Sequence, residues 1–232
     1  MAIDCLSTNK ENQSVLYLHG WGCNRKYLQI LDVNHKKYNS VFVDLPGFNE
    51  KITKPYKFED YLSFLEKIIK EYKVCYIVGH SFGGKLAAYL LARNNCLKGI
   101  TLISPSILHK RRGIIYYLKI WTYKFLKKIL KFNKIADKMG SNDYKNCDNI
   151  LKKTMSNIIN YNDLDLLKKI EKPVIIVAGK QDDITPFLLE KKTCKLFLNS
   201  FLFALHGNHF AYINNSSIIK EIIRTQLDYE DS

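Results

Sequence analysis

No stretch of the chain approaches about 18 uncharged apolar residues, the least a helix needs to cross a bilayer, so no membrane-spanning helix is expected. The start, MAIDCLSTNKEN, is polar and mixed in charge and lacks the apolar core of a secretory signal. Cysteine is sparse: six residues stand at 5, 23, 75, 96, 147 and 194, none in a C-x-x-C pair. That spacing argues against a zinc site or a redox dithiol and predicts free thiols in a cytoplasmic protein. Internal repeats and low-complexity linkers are lacking too, so the 232 residues, 47% of them hydrophobic, read as one folded chain with its own core. Acid is scarce relative to base: 36 Lys and Arg face 22 Asp and Glu, a formal net charge of +14. Such a charge attracts anionic partners, namely a membrane surface, an acidic carrier protein or nucleic acid. Compositional drift gives the same number, since lysine far outnumbers arginine while Asn and Ile are abundant. No nucleic-acid reading motif accompanies the charge, so nucleic acid is not an expected partner.

What is present is a rhythm. Short apolar runs at 14–20, 40–47, 74–80, 98–104, 172–179 and 200–207 are β-branched, aromatic and apolar at nearly every position, as in strands covered on both faces. Amphipathic stretches at 58–72, 83–95 and 216–227 alternate with them. The pattern predicts an α/β protein with a doubly wound, mostly parallel sheet. Residues 105–171 break the rhythm, with helical patterns and no convincing strand. They predict a helical lid over 107–165 inserted between strands of a core formed by 1–106 and 166–232.

Two motifs share Gly79. GHSFGGK is most of a phosphate-cradling G-x-x-x-x-G-K loop, but the residue after the lysine is Leu86, where that loop needs a hydroxyl for Mg²⁺. GHSFG is also G-x-S-x-G, a cramped strand-to-helix turn that lifts a serine above the sheet. Small residues two before and two after Ser81 let the chain pass, and Gly79 and Gly83 supply them. The serine turn is the preferred reading, and Lys85 is then incidental. An oxyanion hole needs a second backbone N–H from the loop after an earlier strand, and HGWG at 19–22 offers the Trp21 amide beside that of Phe82. An acid follows a later strand in VAGKQDDITP, where Asp182 and Asp183 are both available. A histidine follows the last strand in LHGNHFAY, where His206 and His209 are both available.

With HGWG, DLPGF, GHSFGG, G-x-x-D-x-x-x-P and a terminal G-x-HF in this order, the chain resembles the α/β-hydrolase superfamily, most of all its small bacterial serine hydrolases and carboxylesterases. The likeness runs from about Ser14 to Ile223, the inserted segment excepted. It implies a Ser81, Asp182, His209 triad: the acid of similar proteins is third after the glycine, and their base precedes a phenylalanine, with Asp183 and His206 the rivals. His35, His80 and His109 read as structural, and Asp44 as an organiser of its loop through backbone hydrogen bonds. Similar proteins often begin with a β-hairpin, and only about 13 residues precede the HG strand here, so the front edge of the sheet is expected to be trimmed.

The activity implied is hydrolysis of an ester or thioester through an acyl-enzyme, without metal or cofactor; each oxyanion-hole donor contributes about 3–4 kcal/mol in a related case. The substrate class is a small-molecule or acyl-chain ester. The segment 109–134 holds nine Lys or Arg and no acid, with Arg111, Arg112, Lys124, Lys127, Lys128 and Lys131 set against Tyr117, Trp121 and Phe125. It reads as a basic amphipathic helix. It would be a solvated lysine face over a pocket lining, or a docking face for an acidic acyl carrier protein or an anionic membrane surface. Ester hydrolases of acyl carrier proteins occur in this superfamily, a biotin-pathway methyl ester being one such substrate. C–C bond hydrolysis uses the same triad, and a non-catalytic ligand-binding or scaffolding member is the alternative of another class.

Overall fold

The computed structural model describes residues 2–6, 9, 11–109 and 149–230. Strands β1 (Ile3–Leu6), β2 (Gln13–Leu18), β3 (Tyr38–Val43), β4 (Val74–His80), β5 (Gly99–Ile103), β6 (Val174–Gly179) and β7 (Ser200–Leu205) form one sheet in the order β1-β3-β2-β4-β5-β6-β7. Every pairing is parallel except β1 with β3. The helices are α1 (Phe58–Glu71), α2 (Phe82–Arg93), α3 (Asn149–Ile159), α4 (Leu164–Leu167), α5 (Phe187–Cys194), α6 (Ala211–Asn214) and α7 (Ser216–Glu230), with a 3-10 helix at Arg25–Leu31. Among the described residues no helix is long and apolar enough to cross a membrane.

The continuous apolar strands β2 to β6 are explained by the two cores they separate; β7, expected to be covered on both faces, is instead an edge strand that leaves Phe201 and Phe203 exposed. Leu16, Leu18, Val41, Val43 and Ile77 pack on one face with α1 and α2, while Val15, Tyr17, Phe42, Tyr76 and Val78 pack on the other with the 3-10 helix and α7. Helix α1 buries Tyr61, Leu62, Leu65, Ile68 and Ile69 at helical spacing, each fully buried Leu or Ile contributing about 1.5–3 kcal/mol. Helix α2 is buried all round, from Phe82 to Leu91, as befits a helix pressed between sheet and neighbours.

A single strand, β1, precedes β2 at the front edge, where a hairpin would supply two. The polar start forms β1, because Asp4 accepts from Arg25 Nε at 2.7 Å and Gln29 Nε2 at 2.8 Å, and the Ala2 carbonyl accepts from the Asp44 amide. Side-chain partners 20 or more residues away, the ladder with β3 and the packing of Ile3 and Cys5 on the core hold this strand. The sheet reverses its winding at β2, which has β3 on one side and β4 on the other. Loops leaving the C-terminal ends of β2 and β4 therefore part around a crevice, the place where such sheets take ligands. The chain between β5 and α3 carries Arg111, Arg112, Tyr117, Trp121, Lys124, Phe125, Lys127, Lys128 and Lys131, all outside the described residues.

Candidate active site

Ser81 stands between β4 and α2 with φ 52° and ψ −112°, a conformation that L-residues avoid. The glycines around it make that turn feasible. A Cβ on Gly79 would sit 2.5 Å from the Gly83 carbonyl oxygen, and one on Gly83 would sit 2.2 Å from that of Leu18. The turn is held by the Ser81 amide donating to Ile103 O at 2.9 Å and by the Ser106 amide donating to Ser81 O at 3.1 Å. The strain places a half-buried serine at the head of a buried helix, at the crevice.

The loops after β6 and β7 are drawn together by a different glycine. A Cβ on Gly179 would lie 2.4 Å from Asn208 O and 2.6 Å from Gly207 O, so only glycine lets the two loops approach. Backbone bonds from Lys180 to Leu205 and from Gln181 to Gly207 then fasten them. Across this junction the His209 Nδ1–H donates to Asp182 Oδ2 at 2.8 Å. Asp182 accepts three more hydrogen bonds: from the amides of Ile184 and Thr185 on Oδ1, both at 2.8 Å, and from the Thr185 hydroxyl on Oδ2 at 2.9 Å. Burial pushes this carboxyl up, but His209 and the Thr185 donors outweigh it and hold Asp182 at about 2. Asp182 is thus a permanent anion at neutral pH, and it fixes the tautomer that leaves His209 Nε2 bare. Of the rivals, Asp183 is exposed and makes no ion pair among the described residues, while His206 is exposed.

His80 joins the histidine to the serine. Its Nε2–H donates to the His209 carbonyl at 3.0 Å, and the two rings lie 4.8 Å apart. Burial, with His209 adding to it, lowers His80 to about 3, so it stays a neutral spacer. Ser81 Oγ and His209 Nε2 form no direct hydrogen bond in this structure, a separation common before substrate seats.

The loop after β2 brings the second set of donors. His19 Nδ1–H donates to Gly20 O at 2.8 Å while its Nε2 accepts from the Leu45 amide at 3.0 Å, tying this loop to the one after β3. Burial lowers the His19 pKa, in keeping with the neutral ring this pairing needs. A Cβ on Gly20 would lie 3.2 Å from Ser81 Cβ, so the chain leading to Trp21 passes against the serine. The Trp21 ring meets Phe82 edge-on at 5.8 Å. Asp44 accepts from the Arg25 amide at 2.7 Å, from the Arg25 guanidinium and from Asn49 Nδ2 at 2.6 Å, so its organising role extends beyond backbone bonds.

Lys85 is a second correction. It is 1% exposed, and its ammonium donates to Tyr161 O at 2.7 Å and Ile158 O at 3.1 Å over the Phe58 ring. It closes the C-terminal end of α3, whose carbonyls lack helical partners. This also removes the phosphate-loop reading, because the lysine faces away from any anion at Gly79–Gly84. Sequence reasoning missed Thr185 as well; its place three residues after the acid, where a hydroxyl can return to the carboxylate, was the available signal.

The family model described as "Alpha/beta hydrolase family" matches residues 15–216. An uncharacterized hydrolase, YugF, of Bacillus subtilis (strain 168) is 24% identical over 226 residues, spanning 85% of this chain and 83% of its own. A lipase-esterase related protein from Clostridium acetobutylicum ATCC 824 superposes with a TM-score of 0.71 at 20% identity, over 97% of this chain and 98% of its own. The esterase EaEST from Exiguobacterium antarcticum gives 0.72 at 18% identity, over 99% and 95%.

Proposed function

The chain belongs to the alpha/beta hydrolase family, and from that premise we propose that it is a serine hydrolase that cleaves carboxylic esters through an acyl-enzyme. The observation that carries this reading is the buried Asp182–His209 pair, joined through His80 to a strained serine at the crevice. Ser81 Oγ attacks the carbonyl carbon, and its proton passes to His209 Nε2. Asp182 keeps His209 in the competent tautomer and stabilises the imidazolium that forms. The amides of Trp21 and Phe82 receive the oxyanion. The proton then goes to the departing alcohol, and water, activated by His209 in turn, releases the acid and restores Ser81. Esterase-named neighbours of the same fold support ester over amide. A panel of p-nitrophenyl esters tests the proposal: turnover by wild type and its loss in Ser81→Ala and His209→Ala are expected, and equal turnover by Ser81→Ala would overturn it.

The unbroken basic run at 109–134 favours a second reading, in which the ester is presented on an acidic acyl carrier protein. Carrier-bound esters would then be cleaved far faster than free short esters, with salt slowing only the former. Equal rates at every salt concentration contradict it.

A further inference from the structure

The sheet ends at β7, and its free edge plays no part in the proposed mechanism. Asn199 O accepts from the Val174 amide at 3.0 Å, and Leu205 O from the Lys180 amide at 2.8 Å. The odd-numbered residues of β7 therefore turn their backbone groups toward β6. Ser200, Leu202 and Ala204 turn theirs outward, where no further strand stands among the described residues. Natural edges are guarded by charge, by proline or by a bulge. The stretch 196–205, LFLNSFLFAL, holds neither a charged residue nor a proline, and β7 pairs with β6 without a register shift. The edge at β1 differs: it is 4 residues long, and Asp4 is engaged by Arg25. Side chains mark the β7 edge as well. Phe201 lies beside Ile175 and Phe203 beside Val177, on the face of the second core. Yet Phe201 is 61% exposed and Phe203 41%. Helix α7 leaves them uncovered: its Arg224 reaches the Val33 carbonyl, and Ile218, on the opposite flank, is 52% exposed.

An edge with free backbone groups and an apolar face fits another strand, and the sequence of β7 fits itself. Laid antiparallel to a second copy and centred on Leu202, Leu202 faces Leu202, Ser200 faces Ala204 and Phe201 faces Phe203. The outward groups of Ser200, Leu202 and Ala204 then fall at the hydrogen-bonded pairs. The Phe201–Phe203 pairs fall at the other positions, where opposed side chains stand closest. The two-fold axis doubles that pair and gathers the rings of both copies on one face. We propose that β7 is the contact surface for a second copy of this chain, joining the two seven-stranded sheets across a two-fold axis. Two chains that each carry +14 repel one another, and an edge free of lysine is where they can meet. The strand and the exposed parts of its two rings come to on the order of 500 Å² per copy, about 1,000 Å² in all, where specific but reversible interfaces begin. The contact is independent of the serine-hydrolase reading.

Sedimentation equilibrium of the full chain over a range of concentrations tests this, together with hydrogen exchange of the peptide that spans β7. Wild type is expected to pass from monomer to dimer over micromolar concentrations, and the amides of β7 to gain protection as it does. Added salt screens the like charges and favours the dimer. Phe201→Lys sets a cation against the partner's Phe203 and weakens association by about tenfold or more. Its melting temperature stays near that of wild type, since the Phe201 ring is mostly in solvent. Leu6→Lys, at the opposite edge, leaves association unchanged. A wild type that stays monomeric at every concentration overturns the proposal. So does a dimer that survives Phe201→Lys, or one that forms without protecting β7, because the contact then lies elsewhere. Growth beyond a dimer means an open contact instead of a two-fold one and overturns it too. If Phe201→Lys does not fold, exchange of the wild-type β7 amides against concentration still decides the matter.

Discussion

Asp182 and Asp183 are adjacent, chemically identical, and placed in wholly different surroundings. Asp182 accepts four hydrogen bonds in a buried turn, whereas Asp183 stands in solvent. Asp182→Asn should therefore lower kcat by about 10⁴, because an amide favours the wrong His209 tautomer, while Asp183→Asn stays within a few-fold of wild type. Steady-state kinetics on the two variants checks this, and a comparable loss in both would reassign the acid. A second residue-scale prediction concerns Gly179. In Gly179→Ala the new methyl meets the Asn208 and Gly207 carbonyls at 2.4 and 2.6 Å, so the loops after β6 and β7 must part. Lower kcat together with a lower melting temperature is expected, since a shift of about 1 Å at a reacting geometry costs about 100-fold. Unchanged kinetics would mean that the junction does not set the distance between Asp182 and His209.

At the scale of elements, α2 carries the serine at one end and the returning chain on its flank, with Lys85 as the link. Burial pulls the Lys85 ammonium down from its ordinary value near 10.5 to about 8. Below pH 8 the folded state bears the full cost of a buried charge. Between about pH 8 and 10.5 the folded group is neutral while the unfolded one still binds its proton, so stability rises with pH in that window. Lys85→Met should abolish this alkaline rise in urea denaturation; an unchanged profile would contradict the burial of a charged lysine. The elements themselves were legible in the sequence wherever burial is two-sided. β2 to β6 announced themselves as apolar runs, and α1 and α7 as 3.6-residue patterns; β7 reads as an apolar run too, although Phe201 and Phe203 on this edge strand are exposed. β1 was not legible as an apolar run, because only Ile3 and Cys5 of its four residues meet the core while Asp4 is held by Arg25 and Gln29. Lys85 was not either: the contacts that bury it come from Ile158 and Tyr161, some 75 residues away, in a stretch without motifs. The serine turn, the order of its partners and the preference for Asp182 and His209 were readable from motifs; the burial and hydrogen bonds that set them apart from Asp183 and His206 were not.

Over the whole molecule, four buried titratable groups with large shifts set opposing trends with pH. His80, lowered from 6.5 to about 3, adds stability as pH rises between those values. Asp182, held at about 2 against an ordinary 3.8, contributes on the order of 2 kcal/mol above pH 4, which is lost as pH falls through about 2. Glu190, raised from 4.5 to about 9, withdraws stability as pH rises between those values. Lys85 restores stability at higher pH. His80 and Glu190 offset one another between about pH 4.5 and 6.5, so the balance is a plateau in that range followed by a decline from about pH 6.5 to 8. Urea denaturation across pH would show it, and Glu190→Gln should remove the decline between about pH 6.5 and 8. A wild-type profile that climbs from about pH 6.5 to 8 would contradict this balance.

The central claim is that this alpha/beta hydrolase holds an activated serine at residue 81. Intact mass spectrometry after treatment with a fluorophosphonate tests it most directly, on wild type, Ser81→Ala and His209→Ala. One adduct on wild type, none on Ser81→Ala and strongly slowed labelling of His209→Ala are predicted. An unlabelled wild type, or an adduct that survives Ser81→Ala, would contradict the account and bring forward a non-catalytic, ligand-binding member of the fold or a different nucleophile.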